Sequence, residues 1–192
     1  PHSGLPLRER VRGKKKVVVI SSDHTRPVPS RLLMPIILRE IRTGNPEADI
    51  SILVATGCHR APTKQELLDR YGEDIVAHER IVIHNADDND SLVDLGLMAS
   101  GNRLLLNRVA YEADFLMAEG FIEPHFFAGF SGGRKAVLPG VVGRATTMFN
   151  HCAANIDNPG ARTGLLDHNP IHMDMCEGAQ KAGLEFILNV VL

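Results

Sequence analysis

The stretch EPHFFAGFSGGRKAVLPG, residues 123–140, sets an imidazole, a run of glycines and an adjacent Arg–Lys pair between two prolines. Gly129, Gly132 and Gly133 let main-chain N–H groups approach a ligand closely. A helix start behind them adds a partial positive charge, so a phosphate or carboxylate is the natural guest. The spacing is not that of a P-loop, because Lys135 follows Arg134 and precedes Ala136, and no GxGxxG occurs. In isolation, a tight turn with solvent-facing cations accounts for the loop equally well.

Other polar groups give that loop company. DHTRP offers Arg26, whose guanidinium can clamp a carboxylate in a bidentate fork, and Asp23, which can fix the orientation of Arg26. The plain alternative is a surface ion pair. His24 receives no role. In TGCHR, His59 follows Gly57 at a strand end, where a histidine can serve as general base near neutral pH. His125, held between Pro124 and two phenylalanines, is a second such histidine. A lone loop histidine is more often structural; two on neighbouring strand ends, beside an arginine and an anion loop, favour chemistry.

The remaining histidines carry weaker signals. His151, in MFNHCAAN, falls on an expected helix and by itself reads as a surface or core residue. His84 with Asp87 and Asp88 is a loose metal grouping. Neither HExxH nor a Cys/His cluster is present, which gives little support for a preformed zinc site. His78, His168 and His172 read as structural.

These groups must be positioned by something. KKKVVVISSDHTRP predicts a buried strand over 15–21 running into a polar loop. SRLLMPIILREIRTGNP follows with helical spacing of Leu32, Leu33, Ile36, Ile37 and Ile41, closed by Gly44 and Pro46. Pro35 fits only near the start of that helix or at a kink. ADISILVATGCHR is a second strand; Thr63 and Glu66 then form a capping box for a helix KQELLDRY ended by Gly72. RIVIHNADD is a third strand, LMASGNRLLLN a hairpin turning at Gly101–Asn102, RVAYEA a short helix, and DFLMAEGFIEPH a strand entering the glycine loop. RATTMFNHCAAN and NPIHMDMCEGAQKAG predict helices, the second capped by Asn169 with Pro170 at its first position. LEFILNVVL reads as a final strand.

The rhythm of strand, loop, helix, strand predicts an α/β domain over residues 1–192, with a largely parallel sheet flanked by helices. In such sheets the loops at the carboxyl ends of the strands gather on one rim and bind ligands. The polar loops SSDHTRP, TGCHR, HNADD and EPHFFAGFSGGRK are therefore expected to build one composite site.

Bulk properties exclude several classes. A formal net charge of −2 with 23% charged residues gives no basic surplus for nucleic acid or an anionic membrane surface. No apolar run approaches the roughly 20 residues that span a bilayer. Three cysteines, Cys58, Cys152 and Cys176, are scattered outside CxxC spacing, which points to a reducing, cytoplasmic setting rather than a disulfide framework. The start without Met and the terminal apolar strand suggest a piece of a longer protein.

Taken in order, DHTRP, TGCHR, PHFFAGFSGGRKAVLPG and the NH of residues 150–151 resemble the nickel-dependent lactate racemase family across roughly residues 15–192. The resemblance implies the N-terminal domain of a two-domain protein, lacking an initial segment and the C-terminal domain. It implies that Lys135 tethers a nickel-pincer nucleotide, a thio-derivatised pyridinium mononucleotide. His151 would be the protein ligand to its nickel, and Ser131, Gly132 and Gly133 would lie against the cofactor. His59 and His125 would be paired acid/base residues, and Arg26, oriented by Asp23, would hold the substrate carboxylate. The implied activity is racemisation or epimerisation of a 2-hydroxy acid, lactate or a relative, by reversible hydride transfer to that cofactor. The implied partners are the substrate, the chain's own C-terminal domain and the enzymes that make the cofactor; the fragment alone would be inactive and, made without those enzymes, unloaded. The chemistry is consistent, because a histidine base contributes only about 10²–10⁴-fold. Proton removal beside a carboxylate needs an electron sink, which a cofactor supplies. The residues alone leave two other readings open: a zinc-dependent hydrolase using His59, His84 and His125, and a non-catalytic phosphate- or nucleotide-binding module using SGGRK.

Overall fold

A computed structural model describes residues 4–191. A one-turn helix α1 (Leu7–Arg10) precedes β1 (Lys16–Ser22), which leads through a polar loop into α2 (Ser30–Gly44). Next come β2 (Asp49–Ala55), α3 (Lys64–Tyr71), α4 (Glu73–His78) and β3 (Arg80–Ile83). The strands β4 (Leu92–Leu97) and β5 (Arg103–Asn107) form an antiparallel hairpin, followed by α5 (Arg108–Tyr111) and β6 (Phe115–Ile122). A small hairpin of β7 (Pro124–His125) and β8 (Gly129–Phe130) leads to α6 (Arg144–Asn150), α7 (Ala153–Ile156), α8 (Pro170–Lys181) and β9 (Leu184–Val191).

The main sheet has the order β3-β2-β1-β6-β9, and every pairing in it is parallel. The chain winds outward from β1 to β3 and then returns to the other side of β1 for β6 and β9. That reversal opens a crevice beyond the carboxyl ends of β1 and β6, where open α/β sheets bind ligands.

Helices on both faces explain why the strands read as continuous apolar runs rather than alternating ones. Val17 and Val19 of β1 pack with Phe115 and Met117 of β6 against Met34, Ile37 and Ile41 of α2. Val18 and Ile20 face the other way, with Leu116 and Ala118, onto Leu104, Leu106 and the α8 residues Ile171 and Met175. Period-two alternation thus divides each strand between two cores.

The expected α/β architecture is what the chain forms. The capping box at Thr63 and Glu66 is present, as is the Asn169 cap, which accepts from the Ile171 and His172 N–H groups with Pro170 at the first turn. Pro35 sits inside α2. The β4–β5 turn spans Ala99, Ser100 and Gly101, the last at φ +85°, with Met98 N–H bonded to the Asn102 carbonyl. Asn102 therefore lies just past the turn, and its buried amide donates to the Thr146 carbonyl and the Asp174 carboxylate.

One predicted helix is broken in two. RATTMFNHCAAN is not a single helix: α6 stops at Asn150, His151 is its C-terminal cap, and α7 begins after Cys152. The Asn155 side chain donates to the Phe149 and Asn150 carbonyls, replacing the N–H groups that a continuing helix would have supplied.

Candidate active site

A cleft of about 300 Å³ lies at the strand-order reversal. Asp23 and Arg26 enter it after β1, His59 after β2, and His125 at the end of β6 and its β7 extension. Ser131, Gly132, Gly133 and Lys135 line it from the glycine loop, and His151 from the end of α6. All nine residues that the family resemblance assigns to the site border this one cavity, whereas the HNADD loop with His84 and Asp87, expected to join them, lies outside it.

Asp23 is 2% exposed, and its Oδ2 lies 2.7 Å from Nδ1 of His59. Its Oδ1 accepts from the Thr25 N–H and hydroxyl. The carboxylate thus orients His59, not Arg26 as the sequence suggested. No ion pair joins Asp23 to Arg26, which is exposed at the rim. The geometric reason is the turn between them: the Arg26 N–H bonds back to the Asp23 carbonyl, leaving the carboxylate to meet the β2 loop.

His59 is held from below as well. Gly57, at φ +54°, bonds through its N–H to the Gly140 carbonyl, and a Cβ there would press on the Pro139 carbonyl oxygen at 3.3 Å. The β2 loop and the LPG end of the glycine stretch therefore dock main chain to main chain, a contact that a side chain would crowd.

On the other wall, His125 stacks on Phe126 with centroids 4.7 Å apart and planes 11° from parallel, and meets the edge of Phe127. Phe127 also touches the His151 ring, and the Lys135 amine lies 5.9 Å from the Phe127 centroid. Burial pushes His125 down to about 4, helped by the positive charges of Lys135 and Arg26. Burial with Lys135 nearby likewise holds His151 at about 4. Lys135 falls to about 7, mainly through burial and then through repulsion from Arg26 and Arg134. An amine in that range is substantially neutral near physiological pH and therefore nucleophilic.

The two cations of the RK pair divide their work. Arg134 turns away from the cavity and staples the loop, donating to the Ala128, Ser131 and Gly132 carbonyls and to Nδ1 of His172. Lys135 alone faces the cleft. Gly132 and Gly133, at φ +75° and +52°, pass close to β9, where the side-chain Oδ1 of Asn189 accepts from Gly133 N–H. The Ser131 hydroxyl donates to the Phe121 carbonyl and accepts from Glu123 N–H, so it closes the loop rather than offering itself freely to a ligand.

A buried network underlies the β1 loop. Glu119 of β6 accepts at Oε1 from the hydroxyls of Ser21 and Ser30, each at 2.5 Å, and Tyr71 donates to Ser21. Arg70 donates to Ser30 and to the main-chain carbonyls of Asp23 and Arg26. Burial raises the Glu119 carboxyl pKa. Sequence reasoning missed Arg70 and Glu119, and it set Arg134 with Lys135 at the ligand rather than in the loop. The serines and Glu119 interrupting two apolar strands were the available signal, since buried polar groups demand partners.

His84 corrects the zinc-hydrolase reading. It is 2% exposed, with Nε2 on the Val142 carbonyl and Nδ1 on the Asn107 amide, so both ring nitrogens are engaged in the fold. Among the described residues, no three His, Cys, Asp or Glu side chains converge as a metal site. A single imidazole is another matter: Nδ1 of His151 is buried without a hydrogen-bond partner, and the residue lines the cleft. One unpaired imidazole, a near-neutral amine and bare glycine backbone around one cavity fit a metal carried on a tethered planar group better than a protein-only metal centre.

Fold and cleft together define an α/β protein with a histidine-lined cleft at its topological switch point. Residues 1–164 match the family described as "Lactate racemase N-terminal domain", and the chain belongs to it. It is 53% identical over 186 residues to a lactate racemase of Thermoanaerobacterium thermosaccharolyticum and 56% identical over 186 residues to one of Lactiplantibacillus plantarum. In both cases the match covers 97% of this chain but only 44% of the relative, so the chain spans less than half their length. The lactate racemase apoprotein structure from Thermoanaerobacterium thermosaccharolyticum superposes with a TM-score of 0.98 at 52% identity, over 100% of this chain and 46% of that one. A Thermotoga maritima protein shares the fold, at a TM-score of 0.73 and 21% identity.

Proposed function

We propose that this chain is the cofactor-bearing N-terminal part of a racemase or epimerase acting on lactate or a related 2-hydroxy acid. The observation that carries the reading is convergence: Asp23, Arg26, His59, His125, Lys135 and His151, from separate segments, line one cleft in a chain of the lactate racemase family. Lys135 would tether the nickel-pincer nucleotide, His151 would ligate its nickel, and the SGG backbone would lie against it. When bound, that group supplies the electron sink that breaking a C–H bond beside a carboxylate requires.

The chain's own groups perform the rest. Arg26, exposed at the rim, takes the substrate carboxylate. The free Nε2 of His59 accepts the hydroxyl proton, and the Asp23 carboxylate faces the imidazolium that results. His125 addresses the substrate oxygen from the opposite wall, as interconversion of mirror-image hydroxyls requires. Burial keeps His125 and His151 neutral, so they serve as lone-pair and N–H groups rather than as fixed charges. The part of the relatives' length that this chain does not span would cover the open side of the cleft. The three cysteines are unpaired, which suits a reducing cytoplasm.

The test is intact mass of the chain co-produced with cofactor-making enzymes. A mass increase located at Lys135 and absent from Lys135→Ala is expected; equal loading of that variant overturns the tether. The chain by itself should not racemise lactate, whereas joined to the remaining length of a relative it should. His59→Ala and His125→Ala in the joined protein should load but not turn over.

A further inference from the structure

We infer that the two cleft imidazoles rest in opposite tautomers, with His59 presenting a bare Nε2 to the cavity and His125 presenting Nε2–H. The consequence for proton transfer rests on the racemase reading; the tautomers themselves do not.

The assignment follows from what each Nδ1 meets. Nδ1 of His59 lies 2.7 Å from Oδ2 of Asp23. A carboxylate only accepts, so Nδ1 carries the hydrogen and Nε2 keeps its lone pair. Nδ1 of His125 meets the main-chain N–H of Ala128 at 3.3 Å. An N–H only donates, so this Nδ1 is the acceptor and the hydrogen of a neutral ring must sit on Nε2. Phe126 against the face of the ring and Phe127 against its edge hold the plane in which that bond is made. Ala128 is fully buried, which keeps water from replacing its N–H as the partner.

The residues paired by sequence as equivalent acid and base are therefore different instruments. A substrate hydroxyl facing His59 finds an acceptor: its O–H bond breaks, an Nε2–H bond forms, and the new charge lies beside Asp23. The same hydroxyl facing His125 finds a donor. Nε2 of His125 can accept a proton only after its hydrogen has moved or the Ala128 bond has been given up. Asp23 and the Ala128 N–H are thus positioning groups, and they break the symmetry of a pair that the two mirror-image substrates would otherwise see as alike.

The experiment is a long-range ¹H–¹⁵N histidine correlation spectrum of the ¹⁵N-labelled chain at pH 8, with signals assigned through His59→Gln and His125→Gln. We expect the His59 hydrogen on Nδ1 and the His125 hydrogen on Nε2. In Asp23→Asn, whose amide can donate, His59 should switch to Nε2–H while His125 is unchanged. The same tautomer at both rings, or a His59 indifferent to Asp23→Asn, would overturn the inference. In the loaded, joined protein, Asp23→Asn should lower kcat/KM by up to about 10⁴-fold, the scale of a wrong-tautomer base. Opposite tautomers in a loaded protein without racemisation would instead leave this inference standing and remove the racemase reading.

Discussion

The guanidinium of Arg70, on α3, donates to the main-chain carbonyl of Asp23, the residue whose carboxylate orients His59. The same group reaches the Arg26 carbonyl at 2.6 Å and the Ser30 hydroxyl at 3.0 Å. One side chain thus pins both ends of the loop that carries the acidic and cationic groups of the cleft. Arg70→Met should leave the sheet folded, cost about 1–3 kcal/mol, and speed amide exchange at residues 23–26. Arg70→Lys should restore little, because a single ammonium lacks the fork that spans these acceptors. Thermal melts and hydrogen exchange on the purified chain check both.

Lys135 should be the most readily acylated lysine of the unloaded chain below pH 8. Only the neutral amine attacks, and burial brings its pKa to about 7. The rate of modification should climb through pH 7 and level off. Peptide mass mapping after brief exposure to an amine-reactive ester reads the outcome, and equal rates would discount the cleft as an activating environment.

Removing that buried amine, which folding forces to give up its proton, should stabilise the chain at neutral pH. Lys135→Met keeps the stem and discards the charge, so an increase of about 1 kcal/mol is expected, or roughly 2–4 °C in Tm for a chain of this size. Stability gained with loading lost is the trade expected of a site built for chemistry.

His125 and His151 make the chain acid-sensitive. Both fall from the ordinary 6.5 to about 4 in the folded state. Between those values the unfolded chain binds more protons than the folded one, so stability rises with pH and is lost as pH drops from 6.5 toward 4. Urea melts at pH 4.5 and 7 should show the difference, and the double variant His125→Gln/His151→Gln should flatten it.

Gly140 should not tolerate a methyl group. A Cβ there would sit 2.2 Å from the Ala136 carbonyl oxygen, and the Gly140 carbonyl anchors Gly57 under His59. Gly140→Ala should lower Tm clearly, and the His59 resonances should shift with it.

Local rules carried most of the fold into the sequence. The apolar runs of β1 and β2, the Thr63–Glu66 box and the Asn169–Pro170 start depend on neighbours within a few residues, and they appear where pattern and capping place them. The break at His151 was hidden because it is made by Asn155 reaching back to helix-end carbonyls. Three of the four expected strand-end loops form the cleft, because β1, β2 and β6 are neighbours in the sheet, while HNADD follows the edge strand β3 and stays outside it. Which side chain meets which was not legible: Asp23 meeting His59, Arg134 meeting His172 and Arg70 bracing the loop after β1 are contacts between segments far apart in the chain.

β9 closes one side of the main sheet, pairing only with β6 among the described residues. Its sequence, LEFILNVV, carries one charge and no proline, and Val191 is 77% exposed. An unprotected strand of that composition is a template for self-association. Spectroscopy on the isolated chain should therefore begin at low concentration or with Val191→Lys, so that edge-to-edge strand pairing between copies is not mistaken for native assembly.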